Sequence, residues 1–323
     1  MKKIVIAALA FAAVAACNKA EVIETAPGEA IAFGDAFVDN ATRATDPSYT
    51  ANDIDAVTVY GTVNSQANNT PVVIYPGTKV ERDSKEYGVA WSCPVNQYWV
   101  PGAAYKFVGI VDGNKTGVTT TVLENEMPTS ISYKADGKTD LLCQTIEKTA
   151  NTDGTANGLV AFKFAHLLSK VNFTVTNNST EAAGYSFLVK NIKFAASVEG
   201  EYNVASAAWD ADKFKAGEVS LSDITVATGA ATAELTDEVL FLPGEVTISF
   251  KVDILYNGIL LTTTSYPATG TYEYTLAAAN AYNFNVAVSV GEMIQFTVTK
   301  QPEWTNGNTV DTNADGTNDA IVL

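Results

Sequence analysis

The side chains able to do chemistry are few. The 323 residues include one histidine, His166, and three cysteines, Cys17, Cys93 and Cys143. A hydrolytic triad or a facial metal site needs more imidazole than that. His166 sits in an apolar block and is expected to be structural. Cys93 and Cys143 fall outside any C-x-x-C spacing, which argues against zinc and thioredoxin-type chemistry. An exported chain permits a disulfide between them, and two separate buried thiols are the alternative. Carboxylate pairs such as Glu124/Glu126 and Asp237/Glu238 are unremarkable in a chain with 36 acidic residues. Glycosidase chemistry needs two acids at a set separation across a cleft, which spacing along the chain cannot supply. No phosphate loop or dinucleotide fingerprint is present. No catalytic residue and no cofactor is expected. One stretch has the spacing of a metal loop. Asp311, Asn313 and Asp315 place oxygen ligands at alternate positions, and Gly316 falls at the sixth position, as at the start of a calcium loop. Val322 stands at the twelfth position, where a bidentate acid belongs, so a solvated linker is the competing reading.

Processing chemistry is better marked. Lys2 and Lys3 precede a short apolar run, Ile4 to Ala16, with the flanks of a signal peptide. Val14-Ala15-Ala16-Cys17 resembles a bacterial lipobox, in which the Cys17 thiol takes diacylglycerol and the acylated chain is then held on a membrane. An ordinary Ala-x-Ala secretory site is the alternative. The chain has two arginines, Arg43 and Arg82. Arg43 lies in a polar stretch without apolar periodicity, Asp39 to Ser48, and such exposed loops are preferred sites of proteolytic nicking. Arg82 is flanked by acids and lies inside the first folded unit.

These features are carried by a β-rich chain. Charged residues make up 17% and apolar ones 47%, so a large core is possible. The net charge of −16 excludes a general nucleic-acid binder, which needs a basic face. Period-two alternation recurs at 31–37, 57–63, 170–176, 246–254, 284–290 and 294–298, with Val, Thr, Tyr and Phe prominent, as in antiparallel sheet with one wet face. Asn257-Gly258 is a hairpin signal. The nearest approach to a helix is Ala277-Ala278-Ala279-Asn280. The polar stretch at 150–158 separates two domains or forms a long hairpin loop. Many short strands between turns indicate β-sandwiches. Four apolar residues, Ala320 to Leu323, follow a polar run from 305 to 319 and need somewhere to bury.

Several blocks together resemble the fimbrillin-like pilins of the type V pilus. They are the lipobox at Cys17, Arg43 in Ala41-Thr42-Arg43-Ala44, Trp91, Tyr98-Trp99-Val100-Pro101-Gly102, and Tyr105-Lys106-Phe107. Phe164-Ala165-His166-Leu167-Leu168-Ser169-Lys170-Val171, Phe241-Leu242-Pro243-Gly244 and Trp304-Thr305-Asn306-Gly307 complete the set. The resemblance implies an all-β fold of two tandem transthyretin-like β-sandwich domains, antiparallel and of Greek-key type. It divides the chain into a signal peptide (1–16), a propeptide with lipidated Cys17 and the first strand (17–43), an N-terminal sandwich (44–158), a C-terminal sandwich (159–304) and a polar tail (305–323).

The implied function is that of a structural pilin, shaft or tip, of a cell-surface fimbria supporting adhesion. It would pass the periplasm as a lipoprotein precursor, meet the outer membrane through its lipid, and be cut between Arg43 and Ala44. Loss of the first strand would leave an unpaired groove that a neighbour's strand fills. The final residues Ile321, Val322 and Leu323 are the donor candidates, with 294–304 the other possibility. Partners would be other pilin subunits and host surface ligands, with no nucleic acid. Two rival readings are an anchor subunit that keeps its lipid, and a surface glycan-binding lipoprotein.

Overall fold

Alternation becomes strand wherever one face of the chain can be buried, and in the computed structural model it does so over most of the described length. The structure describes residues 28–34, 36–38, 54, 56–64, 70–83, 89–111, 117–122, 126–179, 184–227, 232–234, 239–290, 294–301 and 319–321. In chain order the strands are β1 (Phe37–Val38), β2 (Ala56–Asn64), β3 (Val72–Glu81), β4 (Ala104–Val111), β5 (Val118–Thr121), β6 (Ser130–Lys134) and β7 (Leu142–Thr149). There follow β8 (Lys163–His166), β9 (Ser169–Asn177), β10 (Tyr185–Asn203), β11 (Ala208–Ser220), β12 (Ile224–Val226), β13 (Thr232–Glu234) and β14 (Val239–Phe241). The series closes with β15 (Gly244–Tyr256), β16 (Ile259–Tyr266), β17 (Tyr272–Leu276), β18 (Ala281–Val288), β19 (Gln295–Gln301) and β20 (Asp319–Ile321). No helix occurs among the described residues, so the fold is all-β.

The strands form three sheets. One has the order β1-β8-β7-β4-β2-β3. The second has the order β16-β15-β10-β6-β5, with β11 and β12 on β10 and β17 on β15. The third has the order β13-β9-β18-β19-β20, with β14 on β9. Pairing is mostly antiparallel, as alternation predicts, but β9–β18 and β1–β8 are parallel ladders. The expected hairpin is present: β15 and β16 are joined by Asn257 and Gly258, both at positive φ (48° and 79°). The helix-like run Ala277–Asn280 is instead a tight turn between β17 and β18, with Ala279 at φ 59°. Tertiary bonds override its alanine propensity: Ala279 N–H donates to the Leu168 carbonyl at 2.8 Å, and Ser169 Oγ donates to the Ala277 carbonyl at 2.8 Å.

Three apolar cores hold the layers together. The first contains Ile31, Phe33, Tyr75, Trp91, Trp99, Phe107 and Phe162. The second lies between the other two sheets, around Phe173, Phe187, Phe194, Phe250, Phe284 and Phe296. The third unites side chains from β2, β4 and β7 with others from β6 and β10, among them Val108, Ile131, Tyr133 and Tyr202. Strands are exchanged between the two halves of the sequence. β6 leaves the first half of the sequence to pair with β10, Ile131 opposite Tyr202. β8 returns to β7, Leu142 opposite His166, across the polar stretch 150–158.

Candidate functional site: the seat of the N-terminal strand

His166, Cys93 and Cys143 each lie within the packed sheets or their turns. His166 Nδ1 lies 2.5 Å from Asp140 Oδ2 at the end of β8, which ties that strand to the turn before β7. Cys93 and Cys143 are both free thiols. Burial pushes the Cys143 thiol up to about 12, so it stays protonated and inert at neutral pH. Cys93 donates to the Val95 carbonyl at 3.2 Å, and burial raises its pKa as well. No cluster of three or more metal-ligating side chains occurs among the described residues.

The N-terminal residues 28–34 and 36–38 lie extended along the first core. Ile31 and Phe33 are buried in the first core, as period two along 31–37 predicts, and Ala36 is buried there out of that phase. The rings of Tyr75, Phe107 and Phe162 lie 5.2, 5.8 and 6.3 Å from that of Phe33. Phe33 therefore fills the middle of an aromatic box.

Both backbone edges of the segment are used. On one side Ile31 N–H donates to the Gln97 carbonyl at 2.8 Å. Trp91 N–H and Trp99 N–H donate to the Phe33 and Glu29 carbonyls at 2.8 and 2.9 Å. On the other side Val160 N–H donates to the Ala32 carbonyl at 2.8 Å, and Gly34 N–H donates to the Val160 carbonyl at 3.2 Å. Phe37 and Val38 then continue parallel to Lys163 and Phe164. Residues 29–34 thus form an extended stretch bonded on one side to 90–99 and on the other to Val160, and residues 37–38 form β1 at the edge of the first sheet. Withdrawing them would orphan donors and acceptors on both sides and uncover the aromatic box.

Two further residues fix its register. At Gly34 a Cβ would stand 2.8 Å from Leu159 Cδ1 and 2.9 Å from the Val89 carbonyl, so the position accepts no side chain without displacement. At the other end the Glu29 carboxylate accepts bonds from Asn157 N–H at 2.6 Å, Asn157 Nδ2 at 2.8 Å and Gly158 N–H at 3.3 Å. The loop that presents these donors is braced by Asn151 N–H on Asn157 Oδ1 at 2.8 Å, and by Lys148 Nζ on the Asn157 carbonyl. The backbone bond from Asn157 is the main cause that holds the Glu29 carboxyl below its ordinary value, and Lys148 adds to it.

Of the residues singled out in the sequence, Cys17, Arg43, Ala44, Asp311, Asn313, Asp315, Val322 and Leu323 lie outside the described residues. Ile321 falls in β20, opposite Phe296 of β19 at the margin of the third sheet. Of residues 294–304, the other donor candidate, Ile294, Phe296 and Val298 are buried in the second core, and 302–304 lie outside the described residues. Glu29, Gly34, Asn157 and Gly158 carry no periodic signal and emerge only from the pairing.

A sequence profile described as fimbrillin-like matches residues 42–302. A fimbrial protein from Bacteroides vulgatus ATCC 8482 has a similar crystal structure, with 13% identity, 86% of this chain and 100% of that chain covered, and a TM-score of 0.56. A candidate cell adhesion protein from Bacteroides ovatus ATCC 8483 is similar at 17% identity, 87% and 99% coverage, and a TM-score of 0.51. At these identities the likeness to both is one of fold. No curated protein matches the chain.

Proposed function

The chain belongs to the fimbrillin-like family, and on that premise we propose that it is a structural subunit of a cell-surface fimbria that joins its neighbours by exchange of a strand. The observation that supports this reading is the extended stretch 29–34, bonded through its backbone on both sides, whose Phe33 is buried in the first core. Export follows the signal peptide, and acylation of Cys17 holds the precursor at the outer membrane. An arginine-specific protease cuts between Arg43 and Ala44, five residues beyond the end of β1. The cut leaves the strand held by non-covalent contacts alone. An incoming strand that satisfies the same backbone groups can replace it, the mode of β-augmentation. Each subunit then gives a strand at one place and takes one at another, a heterologous contact that does not close and so yields a filament. The work of such a subunit is mechanical and adhesive, with no active site.

The test is to treat the purified precursor with an arginine-specific protease. The expected product starts at Ala44 and converts from monomer to a ladder of oligomers on a sizing column. A precursor cut at Arg43 that stays monomeric and keeps a closed sheet edge would overturn the proposal. Mass spectrometry of the native protein separates the rivals. A mature N-terminus at Ala44 supports shaft or tip, and an acylated, uncut Cys17 chain supports an anchor or a lipid-held glycan binder.

A further inference from the structure

A strand at the rim of a sheet offers a row of unpaired backbone groups, and proteins guard such rims with charge, proline or short length. Two of the long rims of this chain are guarded. β3 carries Pro76, Lys79 and Glu81, and β11 carries Asp210, Asp212 and Lys213 among its charges. The outer strands β1, β5, β12, β13, β14, β17 and β20 have five residues or fewer. β16 differs. It is eight residues long and bonds to β15 alone among the described residues. No charged residue occurs from Ile254 to Tyr272. Its first three residues are exposed aliphatics, Ile259 at 68%, Leu260 at 52% and Leu261 at 55%. The nearest acid on β15, Asp253, is neutralised by Lys190 and accepts from Thr263 Oγ1 at 2.6 Å. The rim is therefore free of the negative charge that keeps copies of a −16 chain apart.

We propose that β16 is a lateral docking edge for β16 of a second copy, paired antiparallel about a two-fold axis at Thr262. The occupant follows from what the rim demands. Its backbone needs another backbone, which a lipid surface does not give. Its side chains need an uncharged strand, and among the long rims of this chain β16 is the one that qualifies. With the axis at Thr262, Ile259, Leu260 and Leu261 of each copy lie opposite Ser265, Thr264 and Thr263 of the other, so all three aliphatics are covered. An axis one residue later would set Ile259 against Pro267, which has no N–H to give, and one residue earlier would draw the turn residue Gly258 into the ladder. A bulge at Leu261 twists the rim, and a single strand pair covers less than the roughly 1,200 Å² of a stable complex, so two free chains join weakly. The contact is isologous and closes on itself. It cannot lengthen a filament; it ties one filament to the next, where many such contacts act together. It is independent of the strand exchange proposed above and needs no cut at Arg43.

Uncut precursor carrying Cys17→Ser and Cys93→Ser reports this contact without strand exchange. Single cysteines are placed along β16 and the chains are oxidised at high concentration. Thr262→Cys should give a disulfide-linked dimer. Leu260→Cys and Thr264→Cys should each fail alone, because each lies four residues, about 13 Å along the strand, from its mate, and a mixture of the two should cross-link. Sedimentation equilibrium of the precursor without added cysteines should show a reversible dimer. Leu260→Lys should abolish that dimer and leave the melting temperature unchanged, since the position is exposed and the new charge guards the rim. Disulfide dimers from Leu260→Cys or Thr264→Cys alone would overturn the register. A precursor that stays monomeric up to about 1 mM would overturn the docking edge and leave strand exchange untouched. A monomer that instead floats with phosphatidylcholine vesicles, and loses this with Leu260→Lys, would overturn it in favour of a membrane.

Discussion

Phe33 and Glu29 hold the N-terminal strand by different physics, and the two can be separated by experiment. Phe33 is almost fully buried among three aromatic rings, so Phe33→Ala removes both its transfer free energy and its contacts. The expected loss is about 3–5 kcal/mol in the precursor, measured by denaturant unfolding. Nothing should change in chains trimmed at Arg43, which no longer contain the residue. Glu29 acts through charge. Its folded pKa lies below the ordinary 4.5, so its contribution is present above that value and is lost as pH falls through the folded pKa. In cut but undisplaced protein, the strand should therefore dissociate faster as pH drops below about 4.5. Glu29→Gln should dissociate at a rate that does not respond to acid in that window. Retention can be followed by co-elution of the 17–43 peptide. Ile31 and Phe33 were legible in the sequence because alternation marks the buried face. Glu29 was not, because one acid among 36 has no periodicity, and its partner Asn157 lies 128 residues away.

At the scale of elements, local signals succeed where the turn itself dictates backbone conformation. Asn257-Gly258 announces the β15–β16 hairpin because both residues accept positive φ. Ala277–Asn280 misleads because alanine favours helix, while bonds from the run to Leu168, Ser169 and the Tyr282 side chain impose a turn. The two readings predict opposite signs for one substitution. In a helix, Ala279→Gly would cost roughly 0.5–1 kcal/mol. In the turn, with Ala279 at φ 59°, it should stabilise by about 1 kcal/mol, because the left-handed region penalises a Cβ. Thermal or denaturant unfolding decides the sign. Strand direction is the other thing alternation leaves silent. A period of two reads the same in either ladder, so the parallel pairing of β9 with β18 and of β1 with β8 had no signature. Yet that direction places residues 30–34 beside 158–160, and so decides which backbone groups the groove offers.

At the scale of the whole molecule, the crossings of the chain between sheets join its two halves. β6 is donated to the sheet of β10, and β8 is returned to the sheet of β7. The third core fills the space between these crossings, with Ile131 on β6 fully buried beside Tyr133, Leu168 and Leu242. Trp209 Nε1 donates to the Leu167 carbonyl at 2.8 Å and closes the same region. Neither half can then open without exposing part of the other, so tension along the chain is resisted by one cooperative body. Unfolding of the wild type should follow a single transition by both tryptophan fluorescence and far-ultraviolet circular dichroism. Ile131→Ala creates a cavity at the join and should cost about 2–5 kcal/mol. Because the first and second cores are untouched by it, the loss should fall on their coupling, and the single transition should separate into two. Two transitions already in the wild type would mean that the third core transmits nothing, and that a fibre built from these chains stretches one half at a time.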